Sequence, residues 1–205
     1  MRITRIEHSK HVQERVLVYL EEGDLLRITC HELLQFGLYQ GMDLPPELVV
    51  QLQESGARSE SRAKAARMAS GRMLSRKELS DRLCRRGVDP DTAEETVDWL
   101  ASLGAVDDAA YAGVIARHYG AGGYGPGRVR QELQRRGVPR ELWPQAMEQL
   151  PDSAESIDRF LQSRLRGRTP DPATLKKLGD ALLRRGFSWS DIRPALNRLG
   201  GEIDE

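Results

Sequence analysis

The chain has 205 residues, 39% hydrophobic and 30% charged, a size that suits one large domain or several small ones. No apolar run approaches the ~18 residues of a membrane span and no signal-peptide pattern opens the chain, so neither membrane passage nor export is expected and the location is read as cytoplasmic. The 31 basic and 31 acidic residues cancel, which by itself speaks against a general nucleic-acid binder, and two distant cysteines, Cys30 and Cys84, exclude a disulfide framework or zinc ribbon.

Residues 1–52 form the first region. Ile3, Ile6 and Val12 precede an alternating run, Val16, Val18 and Leu20, and a second run, Leu25, Leu26 and Ile28, follows the turn signal Glu22-Gly23-Asp24. Period-two alternation around a turn predicts a small antiparallel β-ribbon. His31 to Phe36 then reads as a short helix stopped at Gly37, with Gly41 and Pro45-Pro46 as further breaks. His8, His11, Cys30 and His31 have no recognised metal-ligand spacing, so no metal is expected. Residues 53–61 are polar, without large apolar side chains, and read as a linker or an exposed helical extension.

From residue 62 onward the chain repeats. Arg85-Arg86-Gly87-Val88 recurs as Arg135-Arg136-Gly137-Val138 and, loosened, as Arg184-Arg185-Gly186-Phe187, at separations of 50 and 49 residues. Aligned on the glycine, Leu83, Leu133 and Leu182 coincide, as do Leu79, Val129 and Leu178. Downstream the match continues through Ala93/Trp143/Ile192, Val97/Met147/Leu196 and Leu100/Leu150/Leu199. Steps of three and four place these positions on one face of amphipathic helices. The glycine marks the stop, because the residue beyond a last helical turn often needs φ > 0. A fixed period of this size is a supersecondary unit repeated.

Start signals bound the units. Ser75-Arg76-Lys77-Glu78 is a capping box, Asp89-Pro90 pairs an N-cap carboxylate with a proline at the first helical position, and Val138-Pro139 reads as the same start in copy two. Asp107-Asp108, Pro126, Ser153, Asp171-Pro172 and Ser188 open the others. The prediction is a mainly α protein with three tandem three-helix modules, 62–104, 105–150 and 151–200, in an elongated curved stack, and a frayed tail at 201–205.

The charges are sorted along the sequence. Asp89 to Asp108 contains seven carboxylates and no Lys or Arg, whereas Arg117 to Arg140 contains six arginines against Glu132. Separate acidic and basic surfaces suit a mixed partner, such as a protein filament coating DNA. At about 100° per residue, with Val129 facing the core, Arg128 and Arg135 fall on one flank and Arg130 on the other. Lys177 and Arg184 repeat that flank in module three, while module one has Glu78 and Arg85. Arg136 points near the core edge and reads as a helix-end cap. The loop Gly120 to Gly127 satisfies G-x-G-x-x-G but lacks a preceding strand, so no dinucleotide cofactor is expected. It reads instead as a flexible joint presenting an exposed Tyr124. The partner- or DNA-binding candidates are therefore Tyr124, Arg128, Arg130, Arg135, Lys177, Arg184 and Arg117. With neither a P-loop lysine nor a nucleophile–base arrangement, no enzyme is expected.

The motifs Ser75-Arg76-Lys77-Glu78-Leu79 with Leu83 and Gly87, Val106-Asp107-Asp108 with Tyr111-Ala112, and Gly125-Pro126 with Arg128, Gln131-Glu132-Leu133 and Gly137-Val138 resemble the RecX family, regulators of the RecA recombinase. The resemblance spans about residues 62 to 150. Met73-Leu74 stand where that family has a basic residue before the capping serine, and residues 1–44 are similar to an extension some members carry. The resemblance implies binding in the groove of the RecA filament on single-stranded DNA, spanning neighbouring protomers and restraining strand exchange, ATP hydrolysis and filament growth; the chain is expected to be a monomer and to need no cofactor. Two other classes stay open: a free-standing nucleic-acid binder, and a helical scaffold without DNA contact.

Overall fold

The structure, a computed structural model, describes residues 1–10, 12 and 14–200. His11 and the 201–205 tail lie outside the described residues. The chain divides into two compact units, one comprising Met1–Arg72 with Leu79–Ala105, the other Met73–Glu78 with Val106–Glu205.

In the first unit the expected ribbon is a three-stranded antiparallel meander of β1 (Ile3–His8), β2 (Arg15–Leu20) and β3 (Leu25–Thr29). Val16 faces Ile28 and Val18 faces Leu26, so the alternating apolar residues share the buried face. A short helix, α1 (Cys30–Gln35), follows directly; Thr29 and Glu32 cap it reciprocally, and Gly37 leaves it at φ +58°.

Of the two expectations for segment 53–61, a linker or an exposed helical extension, the helical one agrees with the structure: the segment lies inside a continuous 26-residue helix, α2 (Pro46–Gly71), with Gly56 and Ser61 buried. It is polar because its partners are polar. Ser55 and Ser59 donate to the Glu32 carboxylate, Glu60 pairs with Arg15 at 3.2 Å, and Ser61 meets Thr96 at 2.8 Å in the interior. Burial alone would raise the pKa of Glu32, but hydrogen bonds from Ser55, Thr29 and Ser59 outweigh it and hold the carboxyl below its ordinary value. Gly56 lets the helix lie against β3, since a Cβ there would stand 2.2 Å from the Arg27 carbonyl oxygen. Helices α3 (Arg76–Cys84) and α4 (Pro90–Ser102) bury the repeat positions Leu79, Leu83, Ala93, Val97 and Leu100.

In the second unit α5 (Asp108–Ala121), α6 (Pro126–Arg135) and α7 (Trp143–Met147) enclose a core of Tyr111, Ile115, Val129, Leu133 and Val138. The start read at Val138-Pro139 is corrected: a short 3₁₀ turn, Arg140–Leu142, precedes α7, which begins at Trp143. Pro144 explains the restart, because without an N–H it fits only the first turn of a helix. Helices α8 (Ser153–Leu165), α9 (Pro172–Arg184) and α10 (Trp189–Asn197) bury Ile157, Leu161, Leu175, Leu182 and Ile192 together. The repeated glycines Gly87, Gly137 and Gly186 all have positive φ, at +80°, +68° and +90°.

Candidate functional site

The repeated Arg-Arg-Gly turn does more than end a helix. In the second unit two copies of it seat on the start of a helix twelve residues upstream of the preceding glycine. Ser75, the capping residue of α3, donates its hydroxyl to the Arg136 carbonyl, and the Gly125 N–H, at the start of α6, donates to the Arg185 carbonyl at 2.9 Å. Arg136 and Arg185 are equivalent in the repeat, as are Ser75 and Gly125. A further bond joins the Gly127 N–H to the Gly186 carbonyl at 2.8 Å. At α6 the orphan donors that open a helix are thus satisfied by the carbonyls that close another, whereas at α3 they go to the Ser75 hydroxyl and the Asp108 carboxylate.

This seat corrects the flexible-joint reading of residues 120–127. A Cβ on Gly125 would lie 2.7 Å from the Gly186 backbone, and one on Gly186 would lie 2.3 Å from the Arg128 nitrogen. The glycines serve close approach of two main chains, and the loop is clamped. Arg185 reinforces the clamp, donating from Nη1 to the carbonyls of Gly122 and Gly123 at 3.2 and 3.0 Å.

Around the other seat lies a polar network. Glu132, only 4% exposed, accepts two bonds from Arg135, at 2.9 and 2.6 Å, and one from Arg136 at 2.7 Å. The Arg135 hydrogen bonds are the main reason its pKa falls to about 2, with Arg136 adding to the effect against burial. Arg136 also donates to the Tyr111 hydroxyl, which in turn donates to Glu78 at 3.1 Å. Arg136 is the C-cap residue of α6, as expected, and its side chain spans to α5 and toward Glu78, 3.9 Å away. Beside them Asp108 accepts from the Arg76 N–H at 2.9 Å, and burial raises its pKa. Leu74 is buried at 3% exposure, which accounts for an apolar residue where the resembled family is basic.

The sequence-selected residues fall into groups. Arg128, Arg130, Lys177 and Arg184 are exposed, and no carboxylate lies within ion-pair distance of them among the described residues. Arg135 is also exposed, yet its charge is compensated by Glu132. Arg117 bonds Gln149. Tyr124 is 37% exposed and lies under Arg185, whose guanidinium carbon is 5.3 Å from the ring centroid. Sequence reasoning missed Arg185, Arg159 and Arg164, which line one cleft with Phe160. The Arg184-Arg185 pair was a signal for the first; α8 offered none, because its two arginines follow two carboxylates, Glu155 and Asp158, and the helix shows no basic excess.

Two family models match the chain: RecX, first three-helix domain, over residues 62–100, and RecX, second three-helix domain, over 107–147. A regulatory protein RecX of Xanthomonas oryzae pv. oryzae is 37% identical over 123 residues, 59% of this chain and 77% of that protein. The regulatory protein RecX of Streptococcus gordonii is 27% identical over 209 residues, covering 100% of this chain and 80% of the relative. Among solved structures, a crystal structure of regulatory protein RecX superposes with a TM-score of 0.75 over 96% of this chain and 98% of that one, at 22% identity. RecX from Lactobacillus salivarius gives 0.63 over 70% and 96%, at 23% identity.

Proposed function

Because the chain belongs to the RecX family of regulatory proteins, we propose that it regulates the RecA recombinase by binding along the RecA filament on single-stranded DNA, restraining strand exchange, ATP hydrolysis and filament growth. The observation that supports this reading is the flank formed by Arg128, Lys177 and Arg184. Two of these, Arg128 and Lys177, occupy equivalent repeat positions, and among the described residues none of the three has a carboxylate within ion-pair distance. A row of cations recurring at the repeat period suits a partner that is itself periodic and anionic. A ligand that bridges neighbouring protomers and prefers one arrangement of them shifts the filament toward it, which slows any step needing the other.

The test compares the purified protein on naked single-stranded DNA with its binding to the same DNA coated with recombinase, alongside filament ATPase. Preference for the coated DNA and a fall in ATPase are expected. Tight binding to naked DNA with filament activities untouched at saturation would favour a free-standing nucleic-acid binder. Reversing Arg128 and Arg184 to Glu should weaken filament binding by roughly tenfold or more and flatten its salt dependence. Arg85→Glu, in the module whose equivalent of Arg128 is Glu78, should change it little.

A further inference from the structure

We propose that the Arg85-Arg86-Gly87-Val88 turn of module one is a docking site for the start of a partner protein's α-helix, one that opens on a serine followed three residues later by a glutamate. The three repeat turns close their helices alike. Val88, Val138 and Phe187 donate to the carbonyls of Leu83, Leu133 and Leu182 at 3.1, 3.0 and 3.2 Å, and Gly87, Gly137 and Gly186 donate to those of Cys84, Gln134 and Leu183 at 2.9, 3.0 and 2.9 Å. Two of the three turns are occupied. The Arg136 carbonyl takes the Ser75 hydroxyl and the Arg185 carbonyl takes the Gly125 N–H, whereas among the described residues no donor reaches the Arg86 carbonyl. Exposure follows the same division: Gly137 and Gly186 are half-buried with Val138 and Phe187 buried behind them, but Gly87 is exposed and Val88 only half-buried.

The chemistry of the occupant is read from the seated twin, Arg135-Arg136-Gly137-Val138, which has the same four residue types. Its occupant is the Ser75-Arg76-Lys77-Glu78 start of α3. The Ser75 hydroxyl meets the carbonyl, the Glu78 carboxylate stands 3.9 Å from the Arg136 guanidinium, and the Lys77 stem lies so close over Gly137 that a Cβ there would be 2.2 Å from its Cδ. An added Cβ at Gly87 meets nothing within 4 Å, so the same approach is open to a chain from outside. The charges also ask for a carboxylate. Where Glu132 neutralises Arg135 and Arg136, module one has Arg82, and none of Arg82, Arg85 and Arg86 has a carboxylate within ion-pair distance among the described residues. A glutamate in the first turn of the partner helix would meet those arginines and offset the positive helix start that they would otherwise repel. At the other end of the series α9 begins three residues early on its Asp171 cap, so the repeat is closed there and open at module one.

The test titrates the isotope-labelled full chain with a helix-constrained peptide of residues 74–83, its Ser75 and Glu78 side chains left free, up to about 1 mM, the effective concentration of a tethered segment. Saturable shifts of the Gly87 and Val88 amides are expected. A probe carrying Ser75→Ala should bind about fivefold more weakly, the net worth of one hydrogen bond, and the Arg86→Gln chain about tenfold more weakly, that of a charged one. Gly87→Asn is tolerated at positive φ but fills the place that Lys77 takes over Gly137, and should abolish binding. Arg86 and Gly87 are exposed, so circular dichroism of both variants should match wild type. Absence of saturable shifts, shifts confined to the already seated Gly137 turn, equal affinity of the Ser75→Ala probe, or binding unchanged by Gly87→Asn would each overturn the proposal. The turn lies outside the flank of Arg128, Lys177 and Arg184, so the outcome with the probe and the outcome with the recombinase filament are read independently.

Discussion

Glu132 is the one acidic side chain between Arg117 and Arg140, and it is buried. An isolated buried carboxylate would take up a proton; this one stays charged because two guanidinium groups converge on it. Its folded pKa of about 2 lies below the ordinary 4.5, so its contribution to stability is complete above the unfolded value and is lost as pH falls from about 4.5 to 2. The shift corresponds to at most roughly 3 kcal/mol, reduced to about 2 kcal/mol by the solvent around exposed Arg135. Glu132→Gln should therefore lower the urea-unfolding free energy by about 2 kcal/mol at pH 7. The gap to wild type should narrow from about pH 4.5 downward and close only below about pH 2; a gap constant with pH would assign the loss to packing. The sequence carried half of this arrangement. It showed Glu132 among arginines and placed Arg136 at the helix end, where it is the C-cap, but not the reach of its side chain to Tyr111 on α5 and Glu78 at the start of α3, which come from elsewhere in the chain.

Between elements, the decisive residues are glycines with different duties. Gly87 and Gly186 have nearly the same backbone conformation, but an added Cβ meets nothing within 4 Å at Gly87 and the Arg128 main chain at 2.3 Å at Gly186. Gly87→Ala should cost only the strain of positive φ, about 1 kcal/mol. Gly186→Ala adds a backbone collision and should cost about 2 to 4 kcal/mol, measured by the same urea titrations. Equal costs would mean the seat contributes nothing. Gly56→Ala should similarly push α2 off β3, and a loss below ~0.5 kcal/mol would contradict the close approach seen there. The helices and their core faces were legible, because three copies of one register make periodicity unmistakable: Leu83, Leu133 and Leu182 are each fully buried. The role of 53–61 was not. Polarity was read as solvent exposure, whereas Ser55, Ser59 and Ser61 are polar to match Glu32 and Thr96, which are far away in sequence.

Across the whole molecule the repeat is not uniform. Helices α3 and α6 begin eleven residues before their glycines, at Arg76 and Pro126, and the same register in the third copy falls at Leu175. There α9 begins three residues earlier, at Pro172, with Asp171 capping it through Thr174 at 2.8 Å. The helix opens on a side-chain cap, whereas α3 combines its Ser75 cap with a seat for a following turn and α6 has the seat without a side-chain cap. A chain stopped after Leu150 should accordingly leave the N–H groups of Gly125 and Gly127 unpaired, and hydrogen exchange at those two amides should rise toward the rate of an open loop. Continued protection there would show that the third copy is not what closes α6. The same dependence has a direction in time. Ser75 finds its acceptor 61 residues further along, and at roughly 5 to 20 residues per second a ribosome takes about 3 to 12 s to reach it. Helices form and fray in microseconds. The start of α3 thus emerges long before the turn that holds it, and in the nascent chain the order of assembly is set by what has yet to be translated.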